Sequence, residues 1–190
     1  AIYHYIMLKR KKDNIKHIGT TVAVDGYDMN VYLEGKNSDT KATIVLLSGS
    51  GVASPRYDYK ILYSKLTEEY QVAVVEKFGY GYADVSGLPR DVATLVEEDR
   101  KALKKAGVEA PYVLMPHSMS ALEAIYWADT YPEEVEKIIG LDMAVPNSYV
   151  KSNMKKITFM KIMTYFGLHR IPVFYYVNHN GLSESEYEQN

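Results

Sequence analysis

Four short stretches of the chain are apolar almost without interruption: residues 42–47 (ATIVLL), 71–75 (QVAVV), 112–115 (YVLM) and 135–141, which contains KIIGL. Runs of this length and continuity predict strands buried on both faces of a sheet. Between them the spacing turns helical. Residues 57–69 carry Ile61, Leu62 and Leu66 on one side, and residues 91–106 turn Val92, Leu95, Val96 and Leu103 inward, with Gly107 at the C-terminal end. Residues 121–131 form a third helix, stopped by Pro132. Ahead of all these, residues 20–34 read as a β-hairpin: Val22 and Val24 alternate with polar neighbours, Asp25-Gly26 supplies the turn, and residues 29–34 return. Alternation of buried strands with helices predicts right-handed crossover units. The expected fold class is α/β, with a mostly parallel sheet, helices on both faces and an N-terminal hairpin.

The pattern changes at both ends. The first 19 residues begin AIYHYIMLKRKK, an apolar run leading into four basic residues. They read as a basic arm with a solvated end, or as the stub of a membrane anchor with its flanking basic cluster. From Pro146 the strand-helix alternation stops. Residues 146–190 are rich in methionine and aromatics, and no acid occurs between Asp142 and Glu184, whereas Lys151, Lys155, Lys156, Lys161 and Arg170 do. This is a basic helical segment. The expected division is therefore 1–19, 20–145 and 146–190.

Composition narrows the classes. The 190 residues suit one domain, or one domain with a small insertion, and a hydrophobic content of 47% supports a core. The net charge of −2 argues against nucleic acid as a partner. The chain has no cysteine, which excludes a disulfide scaffold, a zinc-thiolate site and a cysteine nucleophile. No stretch of 18 apolar residues is present to span a membrane. The 18 tyrosines predict an aromatic, hydrated surface or pocket.

The chemistry concentrates at the C-terminal ends of the buried strands. Pro116-His117-Ser118-Met119-Ser120 stands between a strand and a helix. A serine on so sharp a turn projects its hydroxyl above the sheet, and small residues two positions either side let the backbone turn. Ser118 is thus the candidate nucleophile; the plainer alternative is that it N-caps the helix. Acyl transfer also needs N–H donors aimed at the developing oxyanion. Met119, following the serine, and Ser50, in Ser48-Gly49-Ser50-Gly51 after residue 47, are the candidates. Gly49, Gly51 and Tyr80, in the Phe78-Gly79-Tyr80-Gly81 loop, would line the substrate site. Gly49-x-Gly51 with Glu76 also imitates a dinucleotide fingerprint, but Ser54 stands where its third glycine belongs.

Taken together, LLSGSG, EKFGYGYAD and PYVLMPHSMSALEAIYWADTYPEEVEKIIGLD resemble the oxyanion loop, the G-x-G loop and the G-x-S-x-G nucleophile elbow of the α/β-hydrolases, over residues 20–145. Ser48 stands where histidine is common, Pro116 and Ser120 where the elbow glycines stand. The resemblance implies an α/β-hydrolase fold, an acyl-enzyme on Ser118, a small-molecule ester or related acyl substrate with a hydrophobic part, and no cofactor or metal. It makes residues 146–190 the start of a helical cap whose basic residues meet an anionic group or a membrane surface.

A serine nucleophile works with a histidine base and a carboxylate. In the family the histidine follows the last strand. His4, His17, His117, His169 and His179 do not occupy that position, and Asp142, ending KIIGL, is the candidate acid. Ser183 and Glu186 have the spacing of a capping box near the end of the sequence. The expectation is a chain truncated before the last strands, without the catalytic histidine. Two other functions fit the same fold: a hydrolase-like binding domain without turnover, and an aminopeptidase that holds a free amine with Glu76, Asp84 and Glu123.

Overall fold

The structure, a computed structural model, describes residues 17–38, 41–145, 158, 159, 162, 163, 165 and 166. The chain divides into two compact units, the larger built mainly from Ile18–Tyr149. In the smaller, residues 158, 159, 162, 163 and 165 are helical, and the rings of Tyr165 and Phe166 meet edge to face. Most of residues 1–19 and 146–190, including the Ser183 capping box, His4, His169 and His179, lie outside the described residues. Among the described residues, no helix is long and apolar enough to cross a membrane.

The larger unit contains a six-stranded mixed sheet. In chain order the strands are β1 (Thr20–Val24), β2 (Tyr27–Glu34), β3 (Thr43–Leu47), β4 (Val72–Glu76), β5 (Tyr112–Pro116) and β6 (Val135–Ile138), and in space the order is β1-β2-β4-β3-β5-β6. The helices are α1 (Pro55–Asp58), α2 (Lys60–Leu66), α3 (Val92–Lys105) and α4 (Ala121–Thr130), with 3-10 turns at Ser118–Ser120 and Pro132–Glu134. Strands β4, β3, β5 and β6 are mutually parallel; β1 and β2 are antiparallel to each other, and β2 is antiparallel to β4. That antiparallel edge removes the dinucleotide-fold alternative, whose sheet continues parallel through this position.

The hairpin forms as expected. Asp25 and Gly26 both take positive φ, 49° and 88°, as a tight two-residue turn requires, and the return strand starts two residues earlier than the alternation suggests. Strands β3, β4 and β5 are buried at every position. Their alternate side chains feed two cores. On one face Val45, Leu47, Ala73, Val75 and Leu114 pack with Val96 and Leu103 of α3 and Trp127 of α4. On the other, Ile44, Leu46, Val72, Val74, Val113 and Met115 pack with Tyr63 of α2. Helices on both faces of a parallel sheet follow from such strands, since neither face can be left to water.

Three expectations need correction. Strand β6 is not fully buried: its positions are half-buried or exposed, because among the described residues it is the edge strand and pairs only with β5. The helix expected over 57–69 is two short helices, and its inward residues are Arg56, Tyr57 and Tyr63. Ile61 and Leu62 are 39% exposed, while the Tyr63 ring fills the core and its hydroxyl donates to the Arg56 carbonyl at 2.8 Å. Helix α3 is capped by Asp91, which accepts from the Thr94 N–H at 3.0 Å, yet two of its fully buried residues are Glu98 and Asp99, and Val92 and Leu95 are only half-buried.

Candidate functional site

The site is built where β3, β4, β5 and β6 end. Strand β5 finishes at Pro116, opposite Leu47 of β3. Proline has no N–H to give the ladder, and the next residue takes over: the His117 N–H reaches the Leu47 carbonyl at 3.0 Å, and the Pro116 carbonyl accepts from Leu141 at 2.8 Å. Proline therefore suits this strand end. The chain then reverses at Ser118, whose φ is +53°. A residue with a Cβ held in the left-handed region is strained, by about 1–2 kcal/mol. The turn is fastened on both sides, with the Ser118 N–H on the Leu141 carbonyl (3.1 Å) and the Ser118 carbonyl receiving Ala144 (3.0 Å).

Ser118 does not cap the helix. Ser120 stands at the N-cap of α4 without a side-chain cap bond; fully buried, its Oγ instead ties the turn to β3, accepting from the His117 N–H at 2.9 Å and donating to the Leu47 carbonyl at 2.7 Å. The Ser118 hydroxyl makes no hydrogen bond among the described residues and is half-buried at the surface of the turn. Met119 follows it in the first turn, where a backbone N–H has no intrahelical partner, and is 40% exposed.

The loop after β3 lies directly against this turn. Gly49 is buried, and a Cβ placed on it would come within 3.0 Å of the Ser118 Cβ and 2.9 Å of the His117 carbonyl oxygen. Only glycine allows that approach. Ser48 is buried beside it, its hydroxyl without a hydrogen-bond partner among the described residues. Ser50 is exposed, and neither its N–H nor that of Met119 is taken up by another described group. Gly51 donates to the Tyr80 hydroxyl at 3.4 Å, and the Gly81 N–H to the Ala53 carbonyl at 2.8 Å. Tyr80 thus braces the loop. The G-x-G loop owes its shape to Glu76, fully buried at the end of β4, which accepts from Tyr82 N–H (2.8 Å) and Asn30 Nδ2 (3.0 Å). A Cβ on Gly81 would fall 2.1 Å from that carboxylate carbon.

Under the loop is a buried charge cluster that the sequence reading missed. Lys77, 3% exposed, donates to the Ser48 carbonyl at 3.1 Å and pairs with the buried Glu123 of α4. Glu98 pairs with Arg90 at 2.8 Å. Asp99 is fully buried, and neither of its carboxylate oxygens has a hydrogen-bond partner among the described residues. Burial pushes its carboxyl up to about 8; Lys77 and Arg90 oppose the rise, and Glu123 and Glu98 add to it. The visible signal was a lysine set directly after an all-buried strand.

His117 turns away from Ser118 chemistry. Its Nδ1 lies 2.9 Å from the Tyr59 hydroxyl, and the two rings meet edge to face. Burial raises the Tyr59 phenol to about 12, against the lowering effect of the Gly49 backbone N–H. Asp142 is exposed, with φ +46°, on the segment whose Leu141 and Ala144 flank the turn. Glu76 and Glu123 are engaged as described, and Asp84 accepts from the Asp28 N–H at 2.9 Å. The amine-binding carboxylates that an aminopeptidase would need are therefore held by the fold. Among the described residues no cluster of metal-ligating side chains is present.

Comparison with known proteins agrees with this architecture. No family model matches the chain. The chain is 45% identical over 174 residues to the uncharacterized protein YbdG of Bacillus subtilis, a match covering 89% of this chain and 53% of YbdG. The chain thus spans about half the length of that relative. Among solved structures it is similar to an esterase, EaEST, of Exiguobacterium antarcticum, at TM-score 0.62 and 21% identity, over 80% of this chain and 57% of that one. It is also similar to MGS-M2, an α/β-hydrolase enzyme from a Medee basin deep-sea metagenome library, at TM-score 0.57 and 15% identity, over 64% and 43% of the two chains. With its strand order, its helices on both faces and its sharp turn after β5, the chain has the α/β-hydrolase fold.

Proposed function

We propose that the chain carries the nucleophile and oxyanion half of a serine hydrolase acting on an ester or related acyl compound. The observation that carries this reading is the positive φ of Ser118, beside a glycine that closely approaches it. A fold retains a strained backbone where the surroundings over-determine it, and such positions cluster at active sites.

In this reading the Ser118 Oγ attacks the carbonyl carbon. The carbonyl electron pair moves onto oxygen, and the Ser50 and Met119 N–H groups stabilise that charge. Collapse of the tetrahedral intermediate breaks the bond to the leaving alcohol and leaves an acyl-enzyme on Ser118, which water then hydrolyses. The Ser118 proton passes to a histidine outside the described residues and from there to the leaving group. Asp142, at the strand end beside the turn, is the carboxylate offered to orient that histidine. The methionine- and aromatic-rich composition of residues 146–190 favours a substrate with a hydrophobic part.

The test is turnover of p-nitrophenyl esters of increasing acyl length by the intact protein and its Ser118→Ala variant. Hydrolysis that falls at least about a thousandfold in the variant supports the reading, given what loss of a serine nucleophile costs. Hydrolysis that survives the substitution contradicts it.

A further inference from the structure

The peptide unit joining Ser48 and Gly49 is held by its carbonyl. Its carbonyl accepts from the Lys77 ammonium at 3.1 Å. Its N–H points the opposite way, because a trans peptide sets C=O and N–H antiparallel, and it opposes the rise of the Tyr59 phenol. Tyr59 reaches His117 Nδ1 at 2.9 Å, and a Cβ on Gly49 would lie 2.9 Å from the same nitrogen, so the tyrosine braces the residue before Ser118 where the loop after β3 packs on it. Lys77 is held by Glu123, and both are buried. A lysine is seldom placed in a core unless it is paired. Here its second acceptor is the backbone of the loop itself.

We propose that Lys77 and Tyr59 are positioning residues: Lys77 fixes this peptide unit, Tyr59 fixes the His117 side chain against which Gly49 packs, and together they set the direction of the following Ser50 N–H beside Ser118. The proposal rests on the serine-hydrolase reading. Neither side chain touches the reacting atoms. Each acts through the backbone, which gives the clamp a specific signature: it sets how well the oxyanion is met and leaves ground-state binding of the substrate alone.

Two variants of the intact protein test it. Tyr59→Phe removes one hydroxyl and keeps the ring packing. Lys77→Met combined with Glu123→Leu removes the ammonium together with its ion-pair partner, an exchange that cores commonly accept. Each is compared with wild type for thermal unfolding, amide hydrogen exchange at Gly49 and Ser50, kcat and KM on p-nitrophenyl butyrate, and labelling of Ser118 by a fluorophosphonate. Both are expected to unfold cooperatively. In each, kcat falls about tenfold with KM unchanged within about twofold, as loss of an alignment predicts. In Tyr59→Phe the His117 ring loses its hydroxyl partner, and the Gly49 amide packed against it exchanges about tenfold faster.

An active wild type whose two variants keep its kcat and its Gly49 exchange overturns the clamp and leaves the hydrolase reading standing. A wild type with neither turnover nor a Ser118 adduct overturns the hydrolase reading and the clamp's catalytic role with it. The Gly49 exchange rate then still decides whether Tyr59 holds the loop.

Discussion

Gly49 and Ser118 touch across the ends of two neighbouring strands: a methyl group on the Gly49 Cα would lie 3.0 Å from the Ser118 Cβ. The backbone of one loop therefore sits where a side chain would otherwise separate it from the hydroxyl of the other. Gly49→Ala is expected to push the two loops apart, lowering fluorophosphonate labelling of Ser118 by at least about tenfold, since small displacements of aligned groups carry that cost. The shift is local, so the unfolding midpoint should fall by only a few degrees, corresponding to roughly 1–2 kcal/mol of overpacking. Unchanged labelling kinetics would show that the loop does not belong to the site.

The strain at Ser118 should be visible as stability. Glycine occupies φ = +53° without the Cβ penalty. Ser118→Gly is therefore expected to raise stability by about 0.5–1 kcal/mol in thermal or urea unfolding, while abolishing any esterase activity. A variant less stable than wild type would mean that the serine side chain, and not the backbone, carries the local energetics.

Asp99 makes stability depend on pH in a defined direction. Its carboxyl titrates near 8 in the folded protein and near 4 when unfolded. Between those values the native state holds a proton that the unfolded state has released, so stability falls as pH rises through this window. The groups facing it are Lys77, Glu123, Glu98 and Arg90, all of opposite or equal sign and near enough to shift it. Asp99→Asn cannot ionise. Relative to wild type its unfolding midpoint should rise progressively from pH 4 and level off above pH 8. A gap that stays constant from pH 5 to 9 would show that Asp99 is ionised throughout.

These features divide into what the sequence makes legible and what it does not. The strands at 42–47 and 112–115 are legible because both faces are covered, so nearly every position is apolar. The hairpin is legible because Asp25-Gly26 is a turn only a few residue pairs can make. The strand containing KIIGL looks equally buried, but periodicity does not tell an edge strand from a central one. Ile61 and Leu62 mislead for a related reason: apolar residues are common on surfaces, and the true inward face is built from Tyr57 and Tyr63, which look amphipathic. Ser118 and Gly49 are legible from their strand-end positions. Lys77, Tyr59 and Asp99 are not, because a charge reads as solvated until its buried partners on other elements are known. For Lys77 and Asp99, only the packing of α3 against β4 and of α4 against α3 brings those partners together.

The most direct test of the central claim is intact mass spectrometry of the protein after exposure to a fluorophosphonate probe, with the Ser118→Ala variant beside it. A single adduct on the wild type, mapped to Ser118 by peptide sequencing, and an unmodified variant are expected. A wild type that remains unlabelled while its fold is intact, or an adduct that persists in Ser118→Ala, would contradict the assignment of Ser118 as the nucleophile.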